Sequence, residues 1–214
     1  MLGIELAADA YLKRLQEEIS RVDQQALLRW SELIYNSWEQ GNYVFMLGNG
    51  GSGTTASHMC EDLGKSTLPE PALKDENRKR LKVLSLTDHV GWITAVGNDL
   101  AYDQIFVQQL MNFGEAGDAV VALSGSGNSA NVLNAVDWAN RQGLKTFGLT
   151  GYDGGTLRQI QQDGLHIPLH DMGMIEGIHL CLFHWVLNDV HARVNRFGRY
   201  RGESGAGCVP GWKR

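Results

Sequence analysis

The pattern of apolar positions changes character once along the chain. From about Ile4 to Gln40, Leu12, Leu15, Ile19, Val22, Ala26, Leu27, Leu33 and Ile34 recur at roughly helical spacing, with no Gly or Pro between them. Residues 1–40 therefore read as a helical segment, one helix or two, of a length that suits packing in an oligomer. Beyond it, short apolar runs alternate with helix-period stretches. Strands are predicted at Tyr43–Leu47, Leu81–Leu86, Ala119–Leu123, Lys145–Thr150 and Leu165–Leu169. Helices are predicted at Ser52–Leu63, Val90–Val96, Gln104–Asn112, Ser129–Arg141, Thr156–Gln162 and Met174–Arg196. The stretch 66–79, with Pro69, Pro71 and many charges, reads as a loop. Strands alternating with helices predict an α/β fold with a parallel sheet covered on both faces, spanning residues 41–198. The Gly-rich stretch 199–214 has no periodicity and is expected to be a flexible tail.

Two of the predicted strands end in loops of small residues. Gly48-Asn49-Gly50-Gly51-Ser52-Gly53 follows the first strand, and Ser124-Gly125-Ser126-Gly127-Asn128-Ser129 follows the third. Each loop runs into a predicted helix. A strand, a small-residue loop and a helix N-terminus together make a phosphate cradle, because free backbone N–H groups and the positive end of the helix dipole face the anion. Two such loops in one domain point to a phosphorylated small molecule held between them. The bland alternative is a pair of tight strand-to-helix turns, where Gly and Ser are common.

Composition narrows the reading. The chain has 214 residues, enough for one domain with a full core. Its formal net charge of -5 argues against bulk electrostatic binding to nucleic acid. No apolar run approaches the ~20 residues that span a bilayer, and no signal-peptide core opens the sequence. The three cysteines, Cys60, Cys181 and Cys208, show no paired pattern and suit a reducing cytoplasm. The first loop formally matches G-x-G-x-x-G, yet a dinucleotide site needs an acidic residue about 20 residues on, and Asp88, which could serve, is poorly spaced beyond a charged loop. Gly64-Lys65-Ser66 hints at a nucleotide P-loop, but Met59 stands where its first glycine belongs. No nucleotide cofactor is expected.

Five motifs in order carry a resemblance. Gly48-Asn49-Gly50-Gly51-Ser52, then His58, then Val96-Gly97-Asn98-Asp99, then Ser124 to Ser129, then Leu149-Thr150-Gly151-Tyr152-Asp153-Gly154-Gly155 resemble the sugar isomerase (SIS) domain, and more narrowly the phosphoheptose isomerase family. The resemblance covers residues 10–196. It implies a three-layer, flavodoxin-like sandwich with a five-stranded parallel sheet, and a cytoplasmic homotetramer with active sites at subunit interfaces. It also implies isomerisation of sedoheptulose 7-phosphate, a step toward lipopolysaccharide heptose. By position, Ser124, Gly125, Ser126 and Ser129 would hold the sugar phosphate; Asn49, Gly50, Gly51, Ser52 and Asp99 would line the sugar site. The family's second loop usually reads Ser-Thr-Ser-Gly-Asn-Ser, so Gly125 removes one hydroxyl.

The resemblance also implies a metal and an acid–base pair. His58 and Asp62 are four residues apart and share a helix face. Glu176 and His184 are eight apart, about 80° around the helix axis. Two carboxylates and two imidazoles suit Zn2+. The family usually has Glu and Gln where this chain has Asp62 and Glu176. Asp62 and His184 would be the catalytic pair, with His58, Asp62, Glu176 and His184 around the metal. His179 and His191 read as supporting or structural residues, Glu61 as a substitute acid only with the helix rotated, and Trp92, Trp138 and Trp185 as core or interface. The usual arginine near Lys65 is Ser66 here. Two other readings stay open: a related protein that binds a phosphosugar or the replication initiator without catalysis, and an isomerase of another sugar phosphate.

Overall fold

The computed structural model describes residues 1–202; the rest of the expected tail, with Cys208, lies outside the described residues. The N-terminal segment divides into α1 (Leu2–Glu5), α2 (Ala8–Ser20) and α3 (Gln24–Gln40). Asp23 makes the second break. Its carboxylate accepts the amides of Gln25 and Ala26 at 2.9 and 3.2 Å, which caps α3 and stops α2 from running on.

Alternation follows: β1 (Tyr43–Gly48), α4 (Gly50–Ser66), α5 (Glu70–Leu73), β2 (Lys82–Ser85), α6 (Val90–Asp99), α7 (Val107–Phe113), β3 (Ala119–Ser124), α8 (Ala130–Arg141), β4 (Lys145–Thr150), α9 (Leu157–Ile160), β5 (Asp163–His166) and α10 (Met172–Asn195). The five strands form one parallel sheet in the order β2-β1-β3-β4-β5. Side chains alternate across it. Val44 and Met46 enter a core with Trp30, Met59 and Phe183, while Phe45 and Leu47 enter a second core with Phe106, Leu110 and Val136. Burial on both faces is why the strands read as unbroken apolar runs. Trp30 anchors the first core, its ring stacked on Phe147 at 5.8 Å.

Helices α4 and α10 lie side by side in the same direction, with Gly51 opposite Glu176, Asp62 opposite His184 and Thr67 opposite Asn195. Their far ends are fastened. Asn195 Nδ2 donates to the Thr67 carbonyl at 2.8 Å and His191 Nδ1 to the Ser66 carbonyl at 2.7 Å. Buried Asp189 accepts from Ser31 Oγ at 2.5 Å and Tyr200 Oη at 2.9 Å, and also pairs with Arg199, so the start of the 199–214 stretch is docked on α10.

Several boundaries differ from the sequence pattern. Helix α6 continues through Gly97 and Asn98 to Asp99, and a 3-10 turn at Tyr102–Gln104 precedes α7. The short α5 interrupts the 66–79 loop. Strand β5 lies earlier than the pattern places it: Leu165, Ile167 and Leu169 are buried in alternation, but pairing with β4 ends at His166. Among the described residues, no helix is long and apolar enough to cross a membrane.

Candidate active site

The order of the strands reverses between β1 and β3, and in open α/β sheets ligands bind outside the strand C-termini at such a point. Both small-residue loops are there. In the first, Gly50 adopts φ +52, a left-handed conformation that costs a side chain 1 to 2 kcal/mol or so, roughly. The loops are tied together. Asn49 Nδ2 donates to Asn131 Oδ1 at 2.8 Å, and Asn131 Nδ2 donates back to Asn49 Oδ1 at 2.9 Å. Tyr102 Oη also donates to Asn49 Oδ1, at 3.1 Å.

The second loop is built as a hydroxyl-lined cup. Ser124 Oγ accepts the Gly127 amide at 3.2 Å and lies 3.5 Å from Ser129 Oγ; Ser126 Oγ accepts the Asn128 amide at 3.3 Å. Ser129 is the N-cap of α8, yet its hydroxyl makes no capping bond. The cup is braced from outside: Gly151 N–H donates to the Gly125 carbonyl and Leu157 N–H to the Gly127 carbonyl, both at 2.8 Å. Asn128 Oδ1 accepts from the amide and hydroxyl of Thr156. A side chain at Gly125 would have to move Met172, since a Cβ there would lie 2.4 Å from its Sδ. The thioether of Met172 fills the space that the family's threonine would take. A recess of 290 Å³ adjoins the cup, lined by Ser126, Asn128, Tyr152, Asp153 and His170.

Three of the four expected metal ligands converge. Asp62 Oδ2 lies 3.2 Å from His58 Nε2 and 3.7 Å from His184 Nε2, and one donor atom from each residue fits within 4.8 Å of the others. His184 Nδ1 donates to the Leu180 carbonyl at 2.8 Å, which leaves the Nε2 lone pair aimed at the cluster. Two imidazole nitrogens and one carboxylate oxygen with an open fourth direction are the donor set of a catalytic zinc site, so these residues fit Zn2+. The imidazoles are open, with side chains 42% and 46% exposed, while Asp62 is 16% exposed.

Glu176 stands outside this cluster. Eight residues along a helix are about 12 Å of axial rise, so a favourable angle around the axis does not bring Glu176 to His184. Its carboxylate lies instead against Gly51, where a Cβ would be 2.5 and 2.7 Å from its two oxygens. Asp99 is exposed at the end of α6 and accepts from Asn98 Nδ2 at 2.7 Å. Ser52 is in the first turn of α4, between the glycines.

Sequence reasoning missed Asn131, Tyr102, Met172 and His170. Asn131 carried a faint signal, a buried amide in the first turn after the second loop; the others had none. Buried His179 is a structural neighbour of Thr150 and His166, and burial pushes its imidazole down to about 4.

The comparisons agree with this geometry. The SIS domain model matches residues 9–151. Phosphoheptose isomerase from Aliarcobacter butzleri is 34% identical over 174 residues, 80% of this chain and 88% of that protein. Phosphoheptose isomerase from Buchnera aphidicola is 35% identical over 183 residues, 82% of this chain and 88% of that protein. The structure of phosphoheptose isomerase GmhA from Neisseria gonorrhoeae superposes with a TM-score of 0.77 at 28% identity, covering 89% of this chain and 98% of the other. A parallel sheet of this order, two serine–glycine loops at its switch point and relatives matching four-fifths of its length place the chain in the phosphoheptose isomerase family of SIS domain proteins.

Proposed function

We propose that the protein is an aldose–ketose isomerase that interconverts sedoheptulose 7-phosphate and D-glycero-D-manno-heptose 7-phosphate. The observation that carries this is the presence of two candidate sites on directly connected elements. The Asn49–Asn131 bonds hold the first loop beside the serine cup, and the His58–Asp62–His184 cluster lies along the helix that leaves that first loop. The names of the relatives agree with it.

In this reading Ser124, Ser126 and Ser129, with the amides of the α8 N-terminus, bind the phosphate. Asn49, Ser52 and Asp99 contact the sugar. His184, through Nε2, exchanges protons with the substrate oxygens, and a carboxylate of the cleft moves the carbon-bound proton between C1 and C2 by way of an enediol. The resemblance gives Asp62 that carboxylate role. A Zn2+ held by His58, Asp62 and His184 would occupy the Nε2 lone pair of His184 and supply Lewis-acid polarisation of the same oxygens in place of that proton exchange. The enzyme works as a cytoplasmic homotetramer whose subunits complete one another's sites. The exposure of His58 and His184, and of Val90, Leu100, Met111 and Phe113 on and just beyond α6 and on α7, supports that assembly.

The test is turnover of sedoheptulose 7-phosphate before chelation, after it, and after zinc is returned. Activity that is lost and regained supports both the reaction and the metal. A zinc-loaded protein that binds phosphosugars without turnover overturns the enzyme reading in favour of a binding module, and turnover of a different sugar phosphate alone reassigns the substrate.

A further inference from the structure

The recess beside the serine cup is not used by the isomerase reading. The strand order β1-β3-β4 sets the cup between two neighbouring loops, the first small-residue loop on one side and the loop after β4 on the other. The sugar lies toward the first loop. The 290 Å³ recess lies toward the other, lined by Ser126, Asn128, Tyr152, Asp153 and His170. Cup and loop are in close contact, since a Cβ on Gly127 would lie 1.9 Å from the Gly154 carbonyl oxygen. The Tyr152 amide donates to the Leu169 carbonyl at 3.1 Å and the Gly151 amide to the cup at Gly125, so main-chain bonds hold this wall in place. The Tyr152 and His170 rings meet edge to face, with centroids 5.3 Å apart and planes at 81°. Neither Tyr152 Oη nor the His170 imidazole has a hydrogen-bond partner among the described residues. Asp153 is exposed; its Oδ1 accepts the Gly155 amide at 3.1 Å, and its Oδ2 accepts no hydrogen bond among the described residues.

We propose that this recess binds the nucleoside of a nucleoside 5′-phosphate whose phosphate sits in the serine cup. A phosphate loop after one strand and an acidic residue after the next is how open α/β sheets hold the phosphate and ribose of a nucleotide. Here the loop follows β3 and Asp153 follows β4, with α8 between them. Asp153 Oδ2 accepts from the ribose 2′-hydroxyl, and the base lies flat on one of the two aromatic walls. The recess is close to the ~300 Å³ at which small-molecule sites begin, which suits one nucleoside and not a dinucleotide. The ligand is therefore an effector and not a redox cofactor. Sugar phosphate and nucleotide both need the cup, so they exclude each other, and the nucleotide is a competitive inhibitor. The inference rests on the cup as a phosphate site and is independent of the proton-transfer chemistry.

The experiment is calorimetric titration of the full-length protein with AMP, GMP, CMP and UMP, and in parallel with sedoheptulose 7-phosphate, ribose 5-phosphate and inorganic phosphate. At least one nucleoside monophosphate is expected to bind and to be displaced by sedoheptulose 7-phosphate. Its 2′-deoxy form is expected to bind about tenfold more weakly, the loss of one hydrogen bond to a charged acceptor. Asp153→Asn keeps the Gly155 bond through Oδ1. It is expected to weaken the ribonucleotide by a similar factor, to erase the difference between ribo and deoxy forms, and to leave sedoheptulose 7-phosphate binding unchanged. His170→Ala is expected to weaken ribo and deoxy forms alike. Nucleotide binding that ignores both the 2′-hydroxyl and Asp153 overturns the proposal, as does a cup that binds sugar phosphates or inorganic phosphate and no nucleotide. Ribose 5-phosphate bound as tightly as the nucleotides, with the same dependence on Asp153, overturns it in favour of a second sugar subsite. A protein that binds none of these phosphates overturns the reading of the cup itself.

Discussion

Asn49 and Asn131 exchange two side-chain hydrogen bonds, at 2.8 and 2.9 Å, across the point where the strand order reverses. Each amide is donor and acceptor at once, so the pair fixes the distance between the two loops in a way that one bond does not. Removing Asn131 takes the acceptor from Asn49 Nδ2, while Asn49 Oδ1 keeps the Tyr102 hydroxyl. Asn131→Ala is expected to cost about 0.5–1.5 kcal/mol of stability and to raise KM more than it lowers kcat. Urea denaturation and steady-state kinetics on the same sample measure both.

Gly125 and Met172 exchange volume. A Cβ at 125 would fall 2.4 Å from Met172 Sδ and 2.8 Å from its Cε, the far end of a flexible side chain. Gly125→Thr alone is expected to push the Met172 thioether aside and raise KM, with a small change in melting temperature. Gly125→Thr with Met172→Ala removes the clash and is expected to bind phosphosugar at least as tightly as the native chain, with the family's threonine hydroxyl regained. A thermal-shift titration with sugar phosphate reads the difference, since a ligand at 100 times its Kd adds about 2.7 kcal/mol.

Strands were legible because their residues are buried on both faces, and β4 matches its apolar run from Lys145 to Thr150. The displacement of β5 shows what periodicity measures. Leu165, Ile167 and Leu169 report burial, and burial outlasts pairing where the chain leaves the sheet edge. In the site, His58 and Asp62 were legible because a four-residue spacing on one helix fixes both angle and height. Glu176 was not, because its partner is chosen by the parallel packing of α10 on α4, a long-range relationship that spacing on one helix does not contain. Met172 over Gly125 is hidden for the same reason.

His58 and His184 should be necessary for metal binding and Glu176 should not. One zinc per chain is expected in the native protein. His58→Ala and His184→Ala are expected to lose it on dialysis and Glu176→Gln to keep it. Inductively coupled plasma analysis of the dialysed variants decides this without any activity measurement.

Buried His179 makes stability depend on pH. Burial lowers its folded-state value from 6.5 to about 4. Between those values the unfolded chain carries a proton on His179 that the native chain does not, so stability falls as pH falls from about 6.5 to about 4. Below that window both states are protonated and the term is constant; above it neither is. The full term is about 3.5 kcal/mol, at about 1.4 kcal/mol per unit. His179→Gln is expected to flatten that part of the curve of urea stability against pH.

The bonds from His191 and Asn195 to the last carbonyls of α4 lie at the end of the helix pair away from the small-residue loops. Two rods pinned at one end work like calipers, in which the gap at the tips is set by the rivet. Helix α4 has 17 residues, about 25 Å of length at 1.5 Å each, so a one-degree turn at its pinned end moves the Gly51 end by about 0.4 Å. Reacting groups must be held to about 0.5 Å. The fine adjustment of the gap between Gly51 and Glu176 is therefore made at Ser66 and Thr67, a helix length from the two loops, where changes can detune the enzyme without altering a loop residue.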